Sequence, residues 1–178
     1  TIEHLMAALS ALSIDNAVIK INNSELPALD GSSYEYVKKI NMTGINIQYE
    51  SKNLIKVLRT IKVKDGNRYI SISPSNNLTI DVTIDYPNTI IGNSQFSYSH
   101  SRDNFITQLS KARTYAFFED IEKMRTAGLA MGGNFNNALV VDKFKVLNPS
   151  GLRFEKEFVK HKILDCVGDF YLLGMPLI

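Results

Sequence analysis

Near the C-terminal end of the chain, His161 and Asp165 stand four residues apart in the stretch Phe158-Val159-Lys160-His161-Lys162-Ile163-Leu164-Asp165. Helical spacing puts both side chains on one face, which is a metal-chelating geometry. A further histidine, His4, stands at the other end of the chain with Glu3 beside it. Catalytic zinc is commonly held by three protein ligands with a fourth position open to water, and His4, His161 and Asp165 supply three. Glu3 is then the natural general base, adjacent to one ligand and placed to take a proton from an attacking water. An isolated His-x-x-x-Asp on a helix is more often a surface pair than a metal site, and spacing alone leaves both readings open.

Other features border this set. Lys162, about 100° around the helix from His161, is either a cation that stabilises an oxyanion or a solvated lysine. Asp169, one turn beyond Asp165, either orients a histidine from elsewhere or keeps that helix face wet. The segment Gly128-Leu129-Ala130-Met131-Gly132-Gly133 lacks the phosphate-loop pattern and reads as close packing or as a narrow passage for an alkyl chain. His100 is assigned to the surface and Cys166 to the core as an inert thiol. No nucleophile-elbow serine motif occurs.

The elements that must position these residues follow from periodicity. After Thr1, a fitting N-cap, Ile2, Leu5, Met6, Leu9 and Leu12 repeat at helical spacing. Glu3 and His4 lie roughly 120° to 140° from the centre of that apolar stripe, pointing away from the core. Residues 16–21 alternate as a strand, 27–31 form a turn and 33–40 a second short helix. Residues 55–63 and 68–72 alternate around Lys64-Asp65-Gly66-Asn67, a hairpin signal, and 78–86 form a third strand. Ser101 or Asp103 caps a helix carrying Phe105, Ile106, Leu109 and Ala112. An apolar segment at 114–118, a helix at 120–126, the Gly-rich turn and a strand at 138–142 follow. The closing helix carries Val159, Ile163, Val167 and Phe170 on its core face, with His161 and Asp165 roughly 160° away. The expected class is α+β, in two α/β units divided near residue 50.

Composition narrows the function. With 178 residues, 44% hydrophobic and 21% charged, the chain can build a real core and is not disordered. No apolar run approaches the ~20 residues that cross a bilayer, and the apolar start lacks a basic leader and a cleavage site, so no membrane insertion is expected. A net charge of +2, with Lys and Arg scattered, argues against nucleic acid as a partner. The single cysteine fits a reducing compartment, and the cytoplasm is expected.

The string Thr1-Ile2-Glu3-His4-Leu5, followed by Ser13-Ile14-Asp15-Asn16 and Leu29-Asp30-Gly31-Ser32, resembles the UDP-3-O-acyl-N-acetylglucosamine deacetylases, the zinc enzymes of lipid A biosynthesis in Gram-negative bacteria. The second half adds Ala112-Arg113-Thr114-Tyr115, Asp120-Ile121-Glu122, Gly128-Leu129 with Gly132-Gly133, and Leu147-Asn148-Pro149 with Gly151-Leu152-Arg153. Above all it adds His161-Lys162 with Asp165, Gly168-Asp169 and Leu172-Leu173-Gly174. These motifs span the chain in order.

The resemblance implies two similar α/β-sandwich domains packed together, represented by residues 1–50 and 51–178, with a β-α-α-β insert at about 114–142. It implies Zn2+ held by His4, His161 and Asp165, with Glu3 as general base. Thr114 and Lys162 would stabilise the oxyanion formed on the N-acetyl carbonyl of a UDP-linked, O-acylated glucosamine. Asp169 would pair with a general-acid histidine in a Gly-His segment beyond Ile178. Tyr115, Ile121, Ala130, Gly133, Ala138 and Val140 are implied for the passage that holds the acyl chain; Tyr115 stands where the family has an aromatic, usually Phe. Residues 1–178 are then expected to be the central fragment of a monomeric deacetylase, lacking strands of both domains and prone to self-association through unpaired edges. Two other readings stay open: a fragment that binds metal or a partner without turnover, and a zinc amidohydrolase acting on another acylated sugar.

Overall fold

A computed structural model describes residues 2–178. Along the chain come α1 (Ile2–Ala11), α2 (Tyr34–Thr43), β1 (Ile61–Asp65), β2 (Arg68–Ile72), β3 (Thr79–Tyr86) and β4 (Gly92–Ser99). The single-turn α3 (Arg102–Asn104) then widens into a π-helical turn at Phe105–Leu109, followed by β5 (Tyr115–Phe117), α4 (Phe118–Thr126), β6 (Leu139–Asp142), β7 (Lys145–Val146) and α5 (Glu157–Tyr171). The fold is mixed α/β, with three small sheets: β1–β2, β3–β4 and β5–β6–β7. β5 and β6 run parallel and the remaining pairs antiparallel.

Local chemistry accounts for most of these elements. In β3, Ile80, Val82, Ile84 and Tyr86 turn inward while Thr79, Asp81, Thr83 and Asp85 stay exposed, the alternation of a half-buried strand. In the hairpin, Asp65 pairs with Arg68, leaving Gly66-Asn67 as a two-residue loop in which Gly66 takes φ +56° at no steric cost. The Ser101 hydroxyl accepts from the Asn104 N–H, capping the 102–109 segment as expected. The Thr1 cap lies outside the described residues.

Three expectations need correction. Residues 16–21 form no strand: no strand among the described residues runs beside them to complete a ladder, and Val18 stands 88% exposed. The strand expected from residue 55 begins at Ile61, because Ile55 instead exchanges backbone hydrogen bonds with Pro176 and Ile178. Between β5 and β6 there is one helix, α4, and not two; Gly128, Gly132 and Gly133 break residues 127–138 into turns. β4 was not expected at all, since Phe96 and Tyr98 are its only large inward residues and its alternation is faint.

One apolar cluster joins Ala7, Ala8 and Ala11 of α1 to Val37, Ile80, Tyr98, Phe105, Leu109 and to Ile163, Leu164 and Val167 of α5. A second gathers Ile91, Leu139, Val141 and Phe158. α5 contributes to both, so it is buried on more than one side, which decides where its polar residues go.

Candidate metal centre

Glu157, His161 and Asp165 occupy one face of α5 at successive turns. The helical wheel aims His161 and His4 away from the apolar stripes, yet they are 1% and 2% exposed. Of the stripe expected for α1, Leu5, Leu9 and Leu12 are buried, whereas Ile2 is 48% exposed and Met6 only partly buried. What the wheel omits is that His4 shares its face with Ala7, Ala8 and Ala11, and this small-residue face is the one packed along α5, beside Leu164 and Gly168.

Two contacts bring α1 this close. A Cβ on Gly168 of α5 would lie 2.0 Å from the Glu3 carbonyl oxygen, so only glycine lets the backbone of α1 rest there. The Ser33 hydroxyl donates to the His4 carbonyl at 2.7 Å, although Ser33 stands at the start of α2, where such a side chain ordinarily caps its own helix.

The imidazoles are held in a ligating form. His161 Nδ1 is 2.9 Å from the Ala112 carbonyl oxygen, which only accepts, so Nδ1 carries the proton and Nε2 keeps its lone pair. That Nε2 is 3.2 Å from Asp165 Oδ1, and His4 Nε2 is 3.8 Å from the same oxygen. The 3.2 Å contact is within hydrogen-bond range but opposes two acceptors. Accordingly Asp165 Oδ1 is buried without a hydrogen-bond partner, as is His4 Nδ1.

A cation among these atoms turns that repulsion into ligation. The edge of a tetrahedron with ~2.0 Å bonds is about 3.3 Å. One donor atom from each of His4, His161 and Asp165 lies within 4.8 Å of the others. The residues therefore fit one metal ion, and two imidazoles with a carboxylate are the donor set of catalytic zinc. Burial pushes both imidazoles down to about 4, helped at His4 by the neighbouring His161 ring and at His161 by Lys162. Both are neutral at pH 7, as ligation requires. Burial raises the Asp165 carboxyl, opposed by the Lys162 ammonium 3.1 Å from Oδ2.

The other expected site residues are distributed around this centre. Glu3 is half-buried, one residue before the ligand His4. Lys162 bridges from Asp165 to the face of Tyr115, its Nζ 5.3 Å from the ring centroid. Thr114 is half-buried, its N–H donating to Gly31 and its carbonyl accepting from Leu139. Asp169 is exposed, with its carboxyl raised by desolvation and by Asp165.

The residues implied for an acyl passage are less uniform. Tyr115 stands edge-on to Phe158 at 5.1 Å between ring centroids, and Val140 is buried beside Ala116. Ile121 and Ala138 are half-buried, while Ala130 and Gly133 are exposed. His100, assigned to the surface, is instead half-buried, with Nδ1 3.2 Å from the Tyr98 hydroxyl and its backbone N–H donating to the Leu78 carbonyl at 2.9 Å. Cys166, expected in the core, is only partly buried; its thiol is pushed up to about 11, mainly by burial, and so is protonated at neutral pH.

Sequence reasoning missed the Ala112 carbonyl, the Ser33 hydroxyl and the packing role of Gly168. A carbonyl carries no signal in the residue type. Gly168 did carry one, since a glycine inside a helix has a stability cost that a close backbone approach explains.

Comparison with known proteins converges on one family. The family model described as UDP-3-O-acyl N-acetylglycosamine deacetylase matches residues 1–178. A relative from a Nitratiruptor species is 42% identical over 177 residues, covering 99% of this chain and 59% of its own length. One from Shewanella violacea is 43% identical over 180 residues, covering 100% and 59%. One from Campylobacter fetus is 40% identical over 178 residues, covering 100% and 60%. All three are named UDP-3-O-acyl-N-acetylglucosamine deacetylase. The chain spans about 60% of the length of these curated relatives.

Proposed function

The chain belongs to the UDP-3-O-acyl N-acetylglycosamine deacetylase family, and from that membership we propose that it serves the hydrolysis of the N-acetyl group of a UDP-linked, O-acylated glucosamine. The observation that carries the reading is the buried convergence of His4, His161 and Asp165, with lone pairs facing one another. Zinc held there supplies a Lewis acid that polarises a carbonyl and makes water nucleophilic at neutral pH. The chain's own residues do the rest. Glu3 takes a proton from the attacking water. The Lys162 ammonium, anchored between Asp165 and Tyr115, and the Thr114 hydroxyl stabilise the oxyanion as the carbonyl carbon becomes tetrahedral. Asp169 is the carboxylate that holds the proton donor to the departing amine.

The same reading assigns Tyr115, Ile121, Ala130, Gly133, Ala138 and Val140 to an acyl passage. It divides the chain into parts of two sandwich domains, residues 1–50 and 51–178, the second carrying an insert at about 114–142. It also places the protein in the cytoplasm, as a monomer in its complete form. No helix among the described residues is long and apolar enough to cross a membrane.

The test is acetate release from UDP-3-O-acyl-N-acetylglucosamine by purified protein before and after metal removal. We expect stripping to abolish release and added Zn2+ to restore it. Undiminished release by fully metal-free protein overturns the reading.

A further inference from the structure

Ala112 and Arg113 are consecutive residues just before β5, and they grip two consecutive turns of α5. The Ala112 carbonyl accepts from His161 Nδ1 at 2.9 Å. Arg113 grips Glu157, one turn earlier: Nε is 2.8 Å from Oε1, Nη2 is 3.1 Å from Oε2, and the backbone N–H donates to Oε1 at 3.1 Å. The Arg153 N–H donates to Oε2 at 2.6 Å, and Arg113 Nη2 also donates to the Gly151 carbonyl at 2.8 Å. Glu157 is fully buried and Arg113 is 4% exposed.

Such a pair is costly to desolvate, and well-packed apolar residues often stabilise a fold as well or better, so stability alone is a weak account of it. Its geometry is specific, because the guanidinium fork fixes direction as well as distance. Glu157 lies four residues before His161 and eight before Asp165, on the same face of α5. We propose that the Arg113–Glu157 pair is a positioning device for the metal centre: it sets α5 against residues 112–113 so that the Ala112 carbonyl meets His161 Nδ1 and Nε2 faces Asp165 and His4. Without the fork, α5 is free to rotate or slide by a fraction of a turn, and His161 loses the acceptor that orients its ring. Thr114 is the next residue, so the same grip sets its position too.

This inference rests on the zinc reading, and its test separates the two. Zn2+ affinity is measured by competition with a chromophoric chelator, and the Co2+ form by its visible spectrum, for the wild type, Arg113→Lys and Glu157→Gln. Unfolding of the metal-free proteins is followed alongside. We expect folded Arg113→Lys to bind Zn2+ about 10- to 100-fold more weakly, as is typical when an outer partner of a ligand is lost, with an altered Co2+ spectrum. Unchanged affinity and spectrum in a folded but less stable variant overturn the inference and leave the zinc reading intact. A wild type that binds neither metal overturns both. If Arg113→Lys does not fold, Glu157→Gln carries the same measurement. Failure of both to fold assigns the pair to the fold alone and overturns the positioning role.

Discussion

His161 has one nitrogen committed to the Ala112 carbonyl and the other aimed at an unpaired carboxylate oxygen. Loss of a direct ligand must cost more than loss of its outer hydrogen-bond partner, so His161→Ala is expected to weaken Zn2+ binding by at least about 100-fold; competition with a chromophoric chelator measures it, and a smaller loss removes His161 from the ligand set. Acid sensitivity has a definite sign in the metal-free protein. His4 and His161 titrate near the ordinary 6.5 when unfolded and at about 4 when folded. Between those values the unfolded chain binds more protons, so their contribution to stability is complete above about 6.5 and is lost as the pH falls toward 4. The raised Asp165 carboxyl acts in the opposite sense, so the test is comparative. Urea midpoints of metal-free protein should fall with acidification between these limits, and His4→Gln should shrink that slope; an unchanged slope removes His4 from the account. At this scale residue type and helical spacing nominated the donors but left a surface pair open, and only the resemblance to the deacetylases chose between them. Burial and tautomer were not legible, since both are set by the backbone of other elements.

The α1–α5 contact turns three separate donors into one centre, and Gly168 is its narrowest point. A methyl group there meets the Glu3 carbonyl oxygen at 2.0 Å and its carbon at 2.7 Å, against backbone that cannot swing aside. Gly168→Ala is therefore expected to cost about 3 kcal/mol, the upper part of the usual range for overpacking, and to weaken Zn2+ binding by displacing His4. Gly132→Ala is the control: nothing lies within 4 Å of its Cβ position, and a change within about 0.5 kcal/mol is expected. Urea denaturation and Zn2+ competition measure both variants. Equal stability for the two makes the close approach irrelevant. The helices were legible because apolar spacing dictates them locally: α1, α2, α4 and α5 stand where the pattern put them to within a few residues. Strands were less so, since a strand exists only with a partner. Residues 16–21 have the pattern without the neighbour, and β4 has the neighbour with little pattern.

A monomeric globular protein of 20.0 kDa exposes about 8,700 Å² by the usual scaling with mass, whereas this chain exposes 11,779 Å². The excess, roughly 3,000 Å², exceeds the 1,200–2,000 Å² total buried in a standard protein–protein interface. Part of it is a defined surface. In the β1–β2 hairpin, Ile61 pairs with Ile72 and Val63 with Ile70, which puts all four on one face. Ile61, Val63 and Ile70 are each at least 51% exposed. The opposite face carries Lys62 and Tyr69, the ammonium 4.2 Å from the ring centroid, and is suited to water. An apolar face beside open sheet edges drives association when nothing covers it. Sedimentation velocity on the 178-residue chain should therefore show mass rising with concentration, and Val63→Lys, which places a charge at the centre of the apolar face, should shift the distribution toward monomer. A single monomeric species across the concentration range rules the idea out. Wild type and Val63→Lys binding Zn2+ equally well would further separate association from metal binding, because the donors His4, His161 and Asp165 stand on α1 and α5, with the Ala112 carbonyl behind His161, and none of these residues belongs to the hairpin.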